Sequence, residues 1–380
     1  MKKIWITGDA LITPLGFSTE ESFANLLKGK SGLKEITSPT SGFSTWASFL
    51  SGTQLKKLDE MTMPVFETRF EKLLFLPLKQ VIEECDFDTR SSKTLFMFAT
   101  TKGNIELIGN KNVKPEQLSL FASASKLSRF YGNPNKPLVI SSACISGLAV
   151  QILAMKFLEH GEYDTVILSG ADTVNPFILE GFNSLLALSP YPCRPFDRDR
   201  QGLNIGEGGA AMVLSTKNPG NGNSNLIEIK GGAITNDANH ISAPSRTGLE
   251  LAKAAELAMN QSVTVPGDID FVSAHGTATL YNDEMEAKAL TLSGLSEKPT
   301  HSLKGYFGHT LGVAGLIESI ICIHSLRHNV IIASKGFTNA GTPDHLNITT
   351  ENEYKPLNAC VKTMAGFGGC NAAICYSKSC

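Results

Sequence analysis

Cys144 stands where the mostly apolar run 137–143 gives way to Gly147-Leu148-Ala149-Val150-Gln151-Ile152-Leu153, a pattern that continues to a stop at His160-Gly161. The first run reads as a strand and the second as a largely buried helix. A thiol at that junction faces free backbone N–H groups and the positive end of the helix dipole, which favours a thiolate nucleophile. A small buried core cysteine has the same local sequence. Three other segments carry matching chemistry. In Ser273-Ala274-His275-Gly276-Thr277-Ala278-Thr279 a histidine ends a strand and hydroxyls follow. Ser302-Leu303-Lys304-Gly305-Tyr306-Phe307-Gly308-His309 places a lysine and a histidine ahead of a long apolar helix. Ala365-Gly366-Phe367-Gly368-Gly369-Cys370-Asn371 is a glycine-rich turn able to present a backbone N–H to a ligand. A nucleophile, two acid–base or electrophilic groups and an oxyanion donor are the inventory of acyl transfer.

The elements that must hold these groups alternate throughout the chain. Strands are expected over 163–170, 209–214, 269–274 and 330–334, and helices over 248–259 and from just after His309 to near Asn329. This is α/β patterning. The start, Lys2-Lys3-Ile4-Trp5-Ile6-Thr7, reads as a first strand, because its apolar stretch breaks at Gly8-Asp9, too soon for a signal peptide. The polar, turn-rich segment 215–225 divides the 380 residues into an N-terminal half, 1–215, with the cysteine, and a C-terminal half, 226–380, with the histidines and the lysine. Hydrophobic residues at 42% and charged residues at 18% supply a core, and the net charge of −2 gives no field for nucleic acid. No apolar run is expected to approach the length of a membrane span. The eight cysteines form no C-x-x-C pair, which argues for reduced thiols, a cytoplasmic setting and no structural zinc.

Six motifs in order resemble the β-ketoacyl-acyl carrier protein synthases, decarboxylating condensing enzymes of the thiolase fold. They are Ser142-Ala143-Cys144, Arg194-Pro195-Phe196-Asp197, Gly206-Glu207-Gly208, His275-Gly276-Thr277, Lys304 with Gly308-His309, and Gly366-Phe367-Gly368-Gly369. Supporting similarity runs from Ile6-Thr7-Gly8 and Thr13-Pro14-Leu15-Gly16 to Asn371. The resemblance implies two similar βαβαβαββ halves in a layered αβαβα arrangement with the site between them. It implies an acyl group on Cys144, condensed with malonyl-acyl carrier protein to a β-ketoacyl product in fatty-acid, polyketide or polyene synthesis. His275 would stabilise the enolate or promote decarboxylation, and His309 would hydrogen-bond the extender carbonyl, with the helix after it lowering its pKa. Lys304 would organise the site by pairing with Glu318. The backbone N–H groups of Cys144 and Phe367 would form the oxyanion hole, the Phe367 side chain would gate the acyl pocket, and Thr277 and Thr279 would bind the pantetheine arm. No cofactor or metal is implied. The implied partners are an acyl carrier protein, met by a basic patch for which Lys126 and Arg129 are candidates, and a second subunit in a dimer.

Some positions depart from the family pattern. Leu280-Tyr281-Asn282-Asp283 replaces a proline- and glycine-containing loop, Cys370 stands where threonine is usual, and the segments 103–141 and 188–193 look short. Cys370 raises thiolase chemistry on coenzyme A thioesters as a rival, but a Cys-His-His set points to decarboxylation and a Cys-His-Cys set to thiolysis. Non-catalytic chain-length-factor subunits share the fold and lack the cysteine, so retention of Cys144, His275, Lys304 and His309 argues for an active subunit. The shortened segments leave open one that works only as a heterodimer with a chain-length-factor-like partner.

Overall fold

The computed structural model describes residues 2–218 and 226–379. Its frame is a ten-stranded sheet. In chain order the strands are β1 (Trp5–Ile12), β2 (Thr94–Ala99), β3 (Leu138–Ile140), β4 (Thr165–Asp172), β5 (Gly208–Ser215), β6 (Ile227–Asn236), β7 (Phe271–Ser273), β8 (Thr300–His301), β9 (Ala359–Gly366) and β10 (Cys370–Lys378). They lie in the order β8-β7-β9-β10-β6-β1-β5-β4-β2-β3. Each half therefore repeats one path: three parallel strands, then two antiparallel ones, with corresponding strands five apart. The halves meet where β1 pairs antiparallel with β6 through Trp5↔Glu228 and Ile6↔Ile227. The expected boundary falls between β5 and β6, and its residues 219–225 lie outside the described residues.

The layers follow from which faces are apolar. Helix α1 (Arg69–Glu84) covers the outer face of β1, β4 and β5, and α4 (Leu249–Gln261) with α5 (Leu280–Leu292) covers the outer side of the other half. Between the two sets of strands lie α3 (Ser146–His160) and α6 (Ala314–His328), each touching strands of both halves. A helix apolar all round belongs in such a middle layer, and Leu148, Val150, Leu316, Ile317, Ile320 and Ile321 are fully buried there. Ala143–His160, the 18-residue stretch that includes α3, has a mean hydropathy of 1.2 and is long and apolar enough to pass for a membrane span. That corrects the expectation that no run approaches such a length; the physical reason is the doubly covered middle layer.

Two other expectations need adjusting. The β-branched run 330–334 stays out of the large sheet: only Val330–Ile331 is extended, paired with Glu353–Tyr354. Trp5–Ile12 continues through Gly8-Asp9, accommodating them with a shift of register between Ile6 and Gly8.

The central helices touch backbone to backbone at their first turns. A Cβ on Gly147 would lie 2.6 Å from the backbone nitrogen of Leu316, and one on Gly315 would lie 2.5 Å from that of Leu148. Farther along, Gln151 donates to Ser319 Oγ at 3.2 Å, and the Tyr376 hydroxyl lies 2.7 Å from both Gln151 Oε1 and Ser319 Oγ. This approach brings the residues preceding α3 and those preceding α6 side by side. Gly147→Ala is expected to push the helices apart, with a loss of about 1–3 kcal/mol and a longer Cys144–His309 contact. A denaturant midpoint unchanged from wild type would contradict that packing.

Candidate active site

Cys144 sits on the tight turn between β3 and α3. Ala143 takes a positive φ of 43°, a left-handed conformation uncommon for any residue with a Cβ. The turn is held by Ser146, whose Oγ accepts from the Ser142 N–H at 2.8 Å and whose hydroxyl donates to the Ala143 carbonyl at 2.6 Å. From the facing half, His309 arrives with Nε2 3.0 Å from Cys144 Sγ. The Leu311 N–H points at His309 Nδ1 at 3.3 Å. That bond assigns the ring proton to Nε2, so His309 presents a donor to the sulfur and to anything bound there. His275 lies edge-on to His309, ring centroids 5.0 Å apart. One donor atom each from Cys144, His275 and His309 falls within 4.8 Å of the others. These donors are spaced to share a metal ion, but the buried ammonium groups described next oppose a cation there.

Behind the histidines lies a buried charge cluster. Lys304 Nζ meets Glu318 Oε1, and Glu318 Oε2 lies 2.7 Å from Lys362 Nζ. Lys304 and Lys362 are wholly buried, and Glu318 is 2% exposed. Burial alone would raise the Glu318 carboxyl, but the two lysines hold it below its usual value. Burial and then the Lys304 charge push His309 down to about 3, and burial with Lys304, His309 and Lys362 pushes His275 well below the ordinary imidazole value. Both rings are neutral at physiological pH. After His309 the turn Leu311–Val313 runs directly into α6 at Ala314. Burial and Lys304 are the largest causes of the lowering.

The thiolate expectation is also corrected. Burial raises the Cys144 thiol to about 12, outweighing the Lys304 charge and the Phe367 N–H that pull it down. The resting side chain is a thiol. Local N–H groups and a helix start were legible in the sequence, whereas the burial created when both halves close around the thiol was not.

Phe367 brings its backbone N–H to the Cys144 sulfur. A Cβ on the preceding Gly366 would lie 3.1 Å from the Cys144 nitrogen, so this turn needs glycine to approach so closely. The Phe367 ring stacks on Phe182, centroids 5.8 Å apart. Both rings line a cavity of about 460 Å³ that also reaches Cys144, His275, His309, Thr277 and Thr279. The Thr277 and Thr279 hydroxyls lie 2.8 Å apart. Cys370 turns its thiol to the Phe367 carbonyl at 3.2 Å and stays outside the Cys-His-His group. The altered loop keeps its acid in use: Asp283 accepts from the Phe196 and Thr277 N–H groups at 2.7 and 3.0 Å. Of the basic-patch candidates, Lys126 is committed to the buried Glu71 at 2.7 Å and Arg129 is exposed on α2 (Leu120–Phe130). Neither lines the cavity. Nor does Arg246, although it lies 5.0 Å over the ring of Tyr281, which does.

Lys362 and Glu286 escaped the sequence reading. Glu286 accepts from the His275 and Gly276 N–H groups, each at 2.7 Å, and from the Thr363 hydroxyl at 2.8 Å. The available signal was a lysine inside the otherwise apolar run Ala359-Cys360-Val361-Lys362, where a solvated side chain has no place.

Comparison with known proteins agrees with this architecture. The profile described as Beta-ketoacyl synthase, N-terminal domain matches residues 118–219, and Beta-ketoacyl synthase, C-terminal domain matches 226–338. The chain is 28% identical over 433 residues to a putative 3-oxoacyl-[acyl-carrier-protein] synthase, mitochondrial, of Schizosaccharomyces pombe, covering 100% of this chain and 99% of that protein. It is 29% identical over 284 residues to putative polyketide beta-ketoacyl synthase 1 of Streptomyces halstedii, covering 70% and 67%. The fold matches a ketosynthase (ApeO) solved in complex with its chain length factor (ApeC) from Xenorhabdus doucetiae, at a TM-score of 0.86 and 24% identity, covering 100% of this chain and 98% of that one. With both domain profiles matched and a thiolase-like fold shared from end to end, this chain belongs to the beta-ketoacyl synthase family of condensing acyltransferases.

Proposed function

We propose that the chain condenses an acyl group held on Cys144 with a malonyl group carried by acyl carrier protein, releasing CO2 and a β-ketoacyl thioester. The observation that carries this reading is the Cys-His-His group within 4.8 Å, with both imidazoles neutral and Cys370 outside it, bonded to the Phe367 carbonyl. In the first step the Cys144 sulfur bonds to the acyl carbonyl, and the oxyanion lies between the N–H groups of Cys144 and Phe367. Collapse breaks the bond to the carrier sulfur, which leaves with the proton given up by Cys144. In the second step the extender's bond to its carboxylate breaks and CO2 departs. The electron pair remains as an enolate, stabilised by hydrogen bonds from His275 and His309 rather than by imidazolium charge. Its carbon attacks the acyl-Cys144 carbonyl; Cys144 leaves as thiolate and takes one proton from solvent. Lys304 and Glu318 organise the site, Thr277 and Thr279 bind the pantetheine arm, and the Phe367 ring gates the cavity. The thioester and the loss of CO2 supply the driving force, so the reaction calls for no redox cofactor or metal.

The names of the relatives support a place in fatty-acid or polyketide synthesis and an acyl carrier protein as partner. Arg246, exposed and stacked on the cavity-lining Tyr281, is the basic side chain we assign to the carrier. The two repeated halves, 1–215 and 226–380, form one catalytic unit with the site between them. A dimer fits the edge strand β3, Leu138-Val139-Ile140, which is half-buried and hydrogen-bonded only to β2; such an edge invites a second chain. The partner is a second copy or, as in the solved ApeO–ApeC complex, a chain-length-factor-like subunit. The seven cysteines among the described residues are free thiols, which supports a reducing compartment, and the cytoplasm is our reading. Gel filtration of the chain alone and after co-expression with a candidate partner tests the assembly. A stable, active dimer of the chain alone rules out an obligate heterodimer, and acyl uptake only in the co-expressed complex establishes one.

A further inference from the structure

The cation that reaches His275 from β9 is not spent on solvent or on a surface acid. Lys362 Nζ lies 3.2 Å from the Ser273 carbonyl, 3.1 Å from that of Ala274, 3.0 Å from that of Thr363 and 2.7 Å from Glu318 Oε2. Three ammonium protons are thus fully used. Two of the acceptors are the carbonyls immediately before His275, because β7 and β9 run parallel in the register Ser273↔Lys362. The next residue of β9, Thr363, donates to Glu286, which in turn accepts the N–H groups of His275 and Gly276. Consecutive residues of one strand therefore clamp the His275 backbone from both sides, carbonyls through Lys362 and amides through Glu286. The imidazole needs this support: His275 Nδ1 is buried with no hydrogen-bond partner among the described residues, so no side-chain bond fixes the ring.

We infer that Lys362 is a positioning residue for decarboxylation, tying the end of the strand that carries His275 to the Glu318–Lys304 pair. The inference rests on the condensation reading above. It separates the two half-reactions, because Cys144, Phe367 and His309 are held by other contacts and acyl loading does not pass through His275. The charge of Lys362 acts in the same direction, since it helps to keep both histidines unprotonated. The titratable groups facing the two rings are Lys304, Glu318 on α6, Lys362 on β9, the Cys144 thiol and the rings themselves, with the Glu286 carboxylate of α5 on the His275 backbone.

The test compares wild type, Lys362→Met and His275→Ala in two assays: acyl uptake by intact mass from acyl-carrier protein, and CO2 release from malonyl-carrier protein. Lys362→Met leaves Glu318 paired with Lys304, so the cluster keeps a neutral pair. Acyl uptake is expected to stay within about threefold of wild type, while kcat for CO2 release falls by about 10²-fold, the cost of misplacing a reacting group by about 1 Å, with KM little changed. The acid limb of the CO2-release profile should move to higher pH, because removing a positive charge raises the pKa of imidazoles that act neutral. Unchanged CO2 release, or equal loss of both half-reactions, overturns the assignment and makes Lys362 a residue of the fold alone. If wild type itself releases no CO2 from malonyl-carrier protein, the condensation reading fails, whatever Lys362→Met shows; if only His275→Ala releases CO2 normally, His275 has no part in decarboxylation and the assignment of Lys362 falls with it.

Discussion

Cys144→Ala is expected to take up no acyl group from any acyl-carrier protein, whereas wild type gains the mass of one acyl chain. Removing a covalent nucleophile from such a unit costs about 10⁶-fold in turnover. The sulfur lies against the donor edge of His309 and the Phe367 N–H, and Cys370, with its hydrogen directed to backbone carbonyls, cannot substitute. The resting thiol sets the pH response. With the Cys144 pKa near 12, the thiolate fraction rises about tenfold per unit across pH 6–9. Alkylation of the free enzyme at Cys144 by iodoacetamide should climb throughout that range. A plateau near pH 7 would contradict the burial argument and restore a preformed thiolate.

Glu318→Gln should carry the largest stability cost of any single change at the site. The carboxylate is shared by two buried ammonium groups, and the amide leaves both without a counter-charge. Breaking a buried ion pair by removing one partner costs about 3–5 kcal/mol. The sign of its pH dependence follows from Lys304, whose pKa burial already lowers and whose Glu318 partner raises it. Without Glu318 the folded-state pKa drops further, so the unfolded chain binds more protons than the folded one, and stability rises with pH. Denaturant titrations should therefore show a deficit that narrows between pH 7 and pH 9.5. A deficit below about 1 kcal/mol, or one constant with pH, would mean that the cluster is not charged as described.

The catalytic groups were legible because each marks the end of an element with small or special residues around it. Cys144 follows Ser-Ser-Ala, His275 ends a strand before glycine, His309 follows Gly308, and Phe367 sits among glycines. The two central helices were legible as apolar runs with Gly161 and Asn329 at their ends, where both residues take the left-handed conformation. What the sequence hid was set by topology. Lys362 and Ser273 are neighbours only because β7 and β9 are parallel, and Gly147 and Gly315 meet only because α3 and α6 share the middle layer. An alanine with positive φ carries no signal of its own, as Ala143 shows. The thiolate expectation failed for the same reason: a helix start is local, whereas the burial that raises the thiol depends on segments far away in the chain.

Decarboxylative condensation on Cys144 is followed most directly through both products of a single turnover. The chain, alone or with its co-expressed partner, is first loaded with an acyl group. Malonyl-carrier protein is then added, and CO2 and the carrier-bound product are quantified together. One CO2 is expected for each β-ketoacyl-carrier formed, with the acyl mass leaving Cys144 in step. Acyl-Cys144 that is instead discharged to coenzyme A, or that persists while malonyl-carrier protein goes unused, would contradict it.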